Sequence, residues 1–321
     1  MKKIMITGCS GPAAVSFFKS FTSSDPYEFY MADTDVYASG LYLVPKAQRV
    51  VLKKAEDGSH VVDIFEQCKK LQIDLLVPTM DIELLSICPL LHEFESIECK
   101  VLIAKKETLL LCEDKLSLLS KVARFFPNHK FFSYDQNIDV HQLTLPVVLK
   151  PRLASDSRLA QMIHSKVQLE TYKRDGSYFL QDYLPGQEYS VDVYRNADGE
   201  VIACVPRARL KIQNDIVITG ETRNSPVLIE LTKNIAHEIN LFGVANIQFK
   251  EDKNGSPVLM EVNARFPATM SLTVQSGANV PKIFVEEVLE QKQMHELIPV
   301  KEIAMTRCYQ EIYFEPSEII R

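Results

Sequence analysis

Residues 246–265 constrain the fold more than any other stretch of this chain. Two apolar runs carrying isolated polar residues flank Asp252, Lys253, Asn254 and Gly255, a cluster suited to a tight reversal, so the stretch reads as a β-hairpin. Alternate residues of a strand share a face, and paired arms bring Gln248 on the first arm together with Glu261 and Asn263 on the second. One carboxylate and two amide oxygens suit a hard cation such as Mg2+, which takes oxygen ligands and commonly keeps waters or binds substrate phosphates. Arg265, two residues beyond Asn263, is spaced to stabilise charge on a transferring phosphoryl group. An ordinary hairpin with solvated polar positions has the same pattern, and the stretch alone does not separate the two readings.

With 321 residues the chain has room for two or three lobes. Hydrophobic residues at 46%, charged residues at 24% and a formal charge of −6 describe a soluble globular protein and exclude a broad electrostatic footprint for nucleic acid. The seven cysteines are scattered, odd in number and without a CxxC pair, as expected of reduced thiols in a cytoplasmic protein. The N-terminal apolar run is too short for a signal-peptide core, and no uninterrupted apolar span reaches membrane length, so no membrane partner is expected. The histidines lack zinc-ligand spacing, and no GxSxG elbow announces a hydrolase.

In chain order, residues 3–7 form an apolar run followed by Gly8, Ser10 and Gly11 and then by helical spacing over 13–21, which reads as strand, tight loop and helix. Such a glycine turn either accepts a phosphate or carboxylate at the helix N-terminus or is simply a tight turn, since TGCSGPAA lacks the full GxGxxG spacing. The run 27–32 ends in Asp33 and Asp35, read either as nicotinamide-cofactor recognition or as a cap or solvated loop. A helix over 61–71 and a buried strand over 73–77 lead to Pro78, Thr79, Asp81 and Glu83, at the end of the sheet where ligands sit or at a capped helix start. A strand over 101–104 closes the first lobe near residue 105.

Residues 108–125 read as one leucine-rich helix containing Asp114-Lys115, by itself a solvated pair. A strand over 146–149 delivers Lys150 and Arg152, then Ser155, Ser157 and Arg158, ahead of a helical 162–174 stretch. The strand 178–183, the turn 184–188 and the alternating run 189–194 form either a surface hairpin or a crevice where backbone faces a purine and Glu188 accepts from ribose hydroxyls. Arg207 and Arg209 lie at strand spacing on one face, which suits an anion or a solvated basic strand. Helices over 228–241 and 281–291 follow, and a last strand is expected over 304–314 with Tyr309 and Tyr313 packing.

Five stretches in this order resemble the ATP-grasp superfamily, in particular its carbamoyl-phosphate-synthase-like, carboxylate-amine ligase branch. They are EDK at 113–115, PVVLKPR at 146–152, FLQDYLPGQEYSVDV at 179–193, ANIQF at 245–249 and MEVNARF at 260–266. Each is weak alone; together, in order and across nearly the whole chain, they are specific. The resemblance implies a mixed α/β and α+β fold. It comprises an N-terminal parallel-sheet, Rossmann-like lobe (1–105), a linker helix and lid subdomain (106–187), and a C-terminal subdomain with the metal-binding hairpin (188–321), with ATP between the last two.

It also implies roles. Lys115, Lys150, Ser155 and Ser157 would hold ATP phosphates, Gln181, Tyr183 and Leu184 the adenine, and Glu188 the ribose. Gln248, Glu261 and Asn263 would bind Mg2+, or Mn2+ in its place, and Arg265 would serve the transferred phosphoryl group, while the spacing of Arg207 and Arg209 offers either of them as a catalytic contact to the anionic substrate. A small acid would touch Gly8, Ser10, Thr79 and Asp81. The implied reaction joins a small-molecule carboxylate, activated as an acylphosphate, to an amine or similar nucleophile. Self-association as a homodimer is left open. One departure stands out: Ala154, Asp156 and Leu159 occupy a phosphate loop that is glycine-rich in similar proteins. The alternative reading is therefore a nucleotide-binding ATP-grasp protein with weak or lost catalysis.

Overall fold

The computed structural model describes residues 1–54, 60–153, 159–214 and 216–320. Ser155 and Ser157, and with them Ala154, Asp156 and Arg158, lie outside the described residues.

Strands β1 (Lys2–Ile6), β2 (Tyr27–Asp33), β3 (Arg49–Val51), β4 (Leu75–Val77) and β5 (Lys100–Val101) form an all-parallel sheet in the order β3-β2-β1-β4-β5. Helices α1 (Pro12–Phe18), α2 (His60–Leu71), α3 (Asp81–Ile87) and α4 (Leu91–Ser96) connect them. The strands are apolar on both faces, with Ile4, Met5 and Ile6 fully buried, as a sheet covered by helices requires. The chain winds outward from β1 through β2 to β3, then returns to the other side of β1 with β4. This reversal opens a crevice at the C-terminal ends of β1 and β4. Gly8 sits there at φ +61, and a Cβ on it would lie 2.6 Å from Met80 Cγ, so the turn demands glycine on both counts.

Beneath this turn Glu83, 2% exposed, accepts a 2.5 Å hydrogen bond from Thr7 Oγ1. Burial, with Asp33 nearby, pushes its carboxyl up to about 7. A carboxyl raised in the folded state contributes stability that is complete below its unfolded value and is lost as pH rises through the folded one. Glu83→Gln should therefore stabilise the protein at pH 8 by on the order of 3 kcal/mol while changing little at pH 4. Urea denaturation at the two pH values measures this, and an equal shift at both would refute it.

The expected single helix over 108–125 is two helices, α5 (Lys106–Glu113) and α6 (Lys115–Val122). Asp114 interrupts them with an extended backbone (φ −86, ψ 94), and its carboxylate accepts from the amides of Leu116 and Ser117. That is an N-cap, a role the helical periodicity of the flanking leucines conceals. Nor is the pair solvated. Asp114 also accepts from Arg152, the Lys115 amide donates to Arg152 O at 3.1 Å, and Lys115 is 8% exposed.

Strands β6 (Phe131–Asp135), β7 (Val147–Pro151), β8 (Gln161–Ile163) and β9 (Asp175–Asp182) build an antiparallel sheet in the order β6-β9-β7-β8 over its own small core of Tyr134, Val147, Leu149, Ile163, Leu169 and Leu180. The helix expected over 162–174 is replaced by β8 and a single turn, α7 (Lys166–Leu169), because Ser165 and Gln168 close a capping box that starts a new element in mid-stretch.

The third sheet is antiparallel: β10 (Glu188–Arg195), β11 (Val201–Gln213), β12 (Ile216–Thr222), β13 (Gly243–Glu251), β14 (Pro257–Asn263) and β15 (Ala304–Thr306), in the order β14-β13-β10-β11-β12-β15. Helices α8 (Pro226–Glu238), α9 (Met270–Gln275) and α10 (Val280–Glu290) pack around it. Period-two alternation sends Val191, Val193, Ala245, Ile247 and Phe249 into the apolar core that includes Leu228 and Ile235 of α8. Glu188, Ser190, Asp192, Gln248 and Glu261 take the opposite face. The last strand is shorter than expected, and Tyr309 and Tyr313 project into solvent at 92% and 90% exposure rather than packing. Among the described residues no helix is long and apolar enough to cross a membrane, and the cysteines at all seven positions are free.

Candidate functional site

The β13–β14 hairpin turns through Asp252, whose carboxylate accepts from the amides of Asn254 and Ser256, and Gly255 takes φ +78. The register places Gln248 opposite Glu261 and Asn246 opposite Asn263. Pairing then jumps to Phe249 opposite Leu259, leaving Met260 as the extra residue of a bulge beside Glu261. Asn263 Nδ2 donates to Glu261 Oε1 at 3.0 Å, and Lys115 Nζ lies 3.6 Å from Glu261 Oε2. The carboxylate thus sits between an amide and an ammonium, on the polar face of the sheet.

A cavity of about 420 Å³ opens above that face, between the second and third sheets. Lys115, Lys150 and Gln181 line one side, Tyr183 and Leu184 the end, and Glu188, Arg209, Gln248, Lys250 and Glu261 the other. Lys150 is 9% exposed, and burial, followed by repulsion from Lys115, pulls its ammonium down to about 8. Two buried lysines facing one cavity favour an anionic occupant, which would raise that value again. Across the cavity, Glu188 holds Lys250 at 2.8 Å and Arg209 at 3.5 Å. Gly186 docks the turn before β10 onto β13: its amide donates to Glu251 O at 3.0 Å, and a Cβ there would lie 2.6 Å from Glu251 Cβ.

Seven of the described site residues expected from the sequence do not line this cavity. Asn263 is hydrogen-bonded to Glu261, which does line it. Arg265 makes a bidentate pair with Asp81, at 2.6 and 2.8 Å, tying the end of the hairpin to the first turn of α3. Gly8, Ser10 and Thr79 stand at the crevice of the parallel sheet; the Ser10 amide donates to Asp33 and Thr79 Oγ1 to Thr7 O, both at 2.8 Å. Asp33 also accepts from the Asp35 amide, so its carboxylate shapes this loop. Arg207 requires a correction. It is 2% exposed and paired with fully buried Asp192 at 2.5 Å, because Thr269 and Thr273 lie over this part of the polar face. Its charge is spent inside the protein, whereas Arg209, two residues on, faces the cavity. Leu159, the one described residue of the three glycine-replacing positions, is half exposed.

Sequence reasoning passed over Lys250 and His129. Lys250 lies two residues from Gln248 on β13 and directly opposite Glu188, a signal that strand alternation carries. His129, before β6, accepts at Nε2 from Gln181 Nε2 over 2.9 Å, a contact with no local signature.

Residues 175–311 match a family model described as ATP-grasp in the biosynthetic pathway with Ter operon. The carbamoyl phosphate synthase large chain of Clostridium acetobutylicum is 26% identical over 177 residues, covering 49% of this chain and 16% of that protein. That of Thermoanaerobacter sp. is 24% identical over 170 residues, again 16% of the relative's length. Among solved structures, a biotin carboxylase–βγ-ATP complex from Campylobacter jejuni superposes with a TM-score of 0.77 at 15% identity, covering 95% of this chain and 75% of that one. N5-carboxyaminoimidazole synthetase from Staphylococcus aureus, complexed with ADP, gives 0.73 at 15% identity over 96% and 82%. With a parallel-sheet lobe and two antiparallel lobes around a cavity, the chain has the fold of these ATP-grasp neighbours, and its residues 175–311 match an ATP-grasp family model.

Proposed function

We propose that the chain is an ATP- and Mg2+-dependent ligase that activates a small carboxylate as an acylphosphate for attack by an amine or similar nucleophile. The observation that carries this reading is the single cavity in which Lys115 and Lys150 face Gln248 and Glu261, with Glu188 and Tyr183-Leu184 at its other end. A triphosphate laid along it meets ammonium groups on one side and oxygen donors on the other. The acid's oxygen attacks the γ-phosphorus, the bond to the β-bridging oxygen breaks and ADP leaves; the nucleophile then attacks the acyl carbon and phosphate departs. Catalysis of this kind is mainly positioning and charge neutralisation.

The donor set fits a divalent ion shared with phosphate. Among the described residues no group of three or more His, Cys, Asp and Glu side chains could cage a metal alone. Glu261, Gln248 and Asn263 supply one carboxylate and two amides, which suits Mg2+ or Mn2+ completed by phosphate oxygens. When bound, the ion would neutralise charge on the phosphates. Arg265 pairs with Asp81 of the parallel lobe, where Gly8, Ser10, Thr79 and Asp81 are proposed to receive the acid.

The test is ADP release with Mg2+ across pairs of small carboxylates and amines. The expected result is release that requires both partners. ATP binding without acid-dependent release under any pair would overturn the ligase reading and favour the nucleotide-binding alternative, which the glycine-poor stretch at 154–159 supports.

A further inference from the structure

Lys150 has a narrow means of support. Among the described residues, the oxygen within hydrogen-bond distance of its Nζ is Gln181 Oε1, at 2.7 Å, with Met260 Sδ at 3.9 Å. Gln181 is 1% exposed, so its amide has no solvent to complete it. An ammonium offers only donors, which forces Oε1 toward Lys150 and turns the NH2 group the other way. There the amide meets His129 Nε2 at 2.9 Å and, at the 3.4 Å limit, Leu259 O. For Nε2 to accept, the imidazole proton must sit on Nδ1, which lies 4.0 Å from Asp182 Oδ2.

We propose that His129 is a positioning residue for Lys150: by accepting the Gln181 amide at Nε2 it fixes Gln181 Oε1 on the Lys150 ammonium and so aims that ammonium into the cavity. The inference rests on the reading of the cavity as a nucleotide site. His129 does not line that cavity; it lines a separate groove on the far side of Tyr183 and Leu184, and its side chain is 4% exposed. Its hydrogen bond toward that cavity is the one with Gln181. The ring is kept neutral chiefly by burial, which lowers its pKa from 6.5. The charged groups facing it are Asp182 on β9 and Asp252 in the hairpin turn, which favour the imidazolium, and Lys150 on β7, which opposes it. Protonation would set an Nε2–H against the Gln181 NH2, and relief by rotation of the amide would set NH2 against the ammonium.

The experiment measures ADP affinity of the full chain by calorimetry in wild type, His129→Leu, His129→Gln, Gln181→Leu and the His129→Leu/Gln181→Leu pair. His129→Leu should weaken ADP binding about tenfold, since it leaves a buried amide without its acceptor. His129→Gln, which restores an acceptor oxygen, should recover most of that loss. In the Gln181→Leu background His129→Leu should add nothing, an outcome that a merely structural histidine would not produce. Wild-type affinity should also fall as pH drops below the ordinary histidine range, and His129→Gln should remove that dependence. ADP binding by wild type with undiminished binding by His129→Leu, or additive losses in the double variant, would overturn the role of His129 and leave the cavity reading intact. No ADP binding by wild type would overturn both. If His129→Leu does not fold, the pH profile decides: constant wild-type affinity from pH 7.5 to about 5 would refute the proposal.

Discussion

Replacing Glu261 with glutamine is expected to lower acid-dependent ATP turnover on the order of 10²–10³-fold. Glu261 is the one carboxylate of the hairpin trio; Gln248 and Asn263 are neutral, so neither can supply its charge. The substitution preserves shape, and the side chain is 19% exposed between Asn263 and Lys115, so the fold should tolerate the amide. Loss of charge should appear in the metal requirement as well as the rate. The Mg2+ concentration for half-maximal ADP release is expected to rise at least about tenfold. Steady-state ADP release titrated with Mg2+ measures both quantities. Unchanged turnover with an unchanged Mg2+ requirement would remove the hairpin from any metal-binding role.

Replacing Asp192 with alanine is expected to destabilise the protein by about 3–5 kcal/mol, the range for deleting one partner of a buried ion pair. Asp192 is fully buried and accepts from Arg207 (2.5 Å), Asn246 (2.7 Å) and Thr273 (2.5 Å). Its removal strands a guanidinium that is 2% exposed and two further buried donors. The penalty comes from desolvating Arg207 without a counter-charge, so replacing Arg207 by methionine in the same variant should recover a large part of it. Guanidinium denaturation of both variants measures this. A loss below about 1 kcal/mol for the single substitution would mean that Arg207 finds solvent or another anion.

The contrast between Arg207 and Arg209 shows what a sequence can and cannot tell. Both lie on one face of β11, as spacing by two requires, and that much was legible. What covers a face is decided by distant chain, here Thr269 and Thr273, and no local pattern records it. The hairpin was readable because turn chemistry and alternation agree, which fixes both register and face; the winding of the parallel lobe was readable because its strands are apolar on both faces. The break at Asp114 was not, since an N-cap aspartate inside a leucine-periodic run leaves the period intact. The contact from His129 to Gln181 spans 52 residues and depends on the packing of a loop against β9, which is equally silent in one dimension.

Two connections join the four-stranded sheet to the rest of the molecule near the cavity, one leading from α6 into β6 and one from β9 into β10. The second is pinned at Gly186 and Gln187, where backbone bonds to Glu251 in both directions, at 3.0 Å each, hold it against β13. Between the end of β9 and this pin lie Tyr183, Leu184 and Pro185. Tyr183 and Leu184 are also walls of the cavity, and the first connection carries His129. The same residues thus serve as connector and as wall, so a rotation of that sheet about this connection would reshape the pocket.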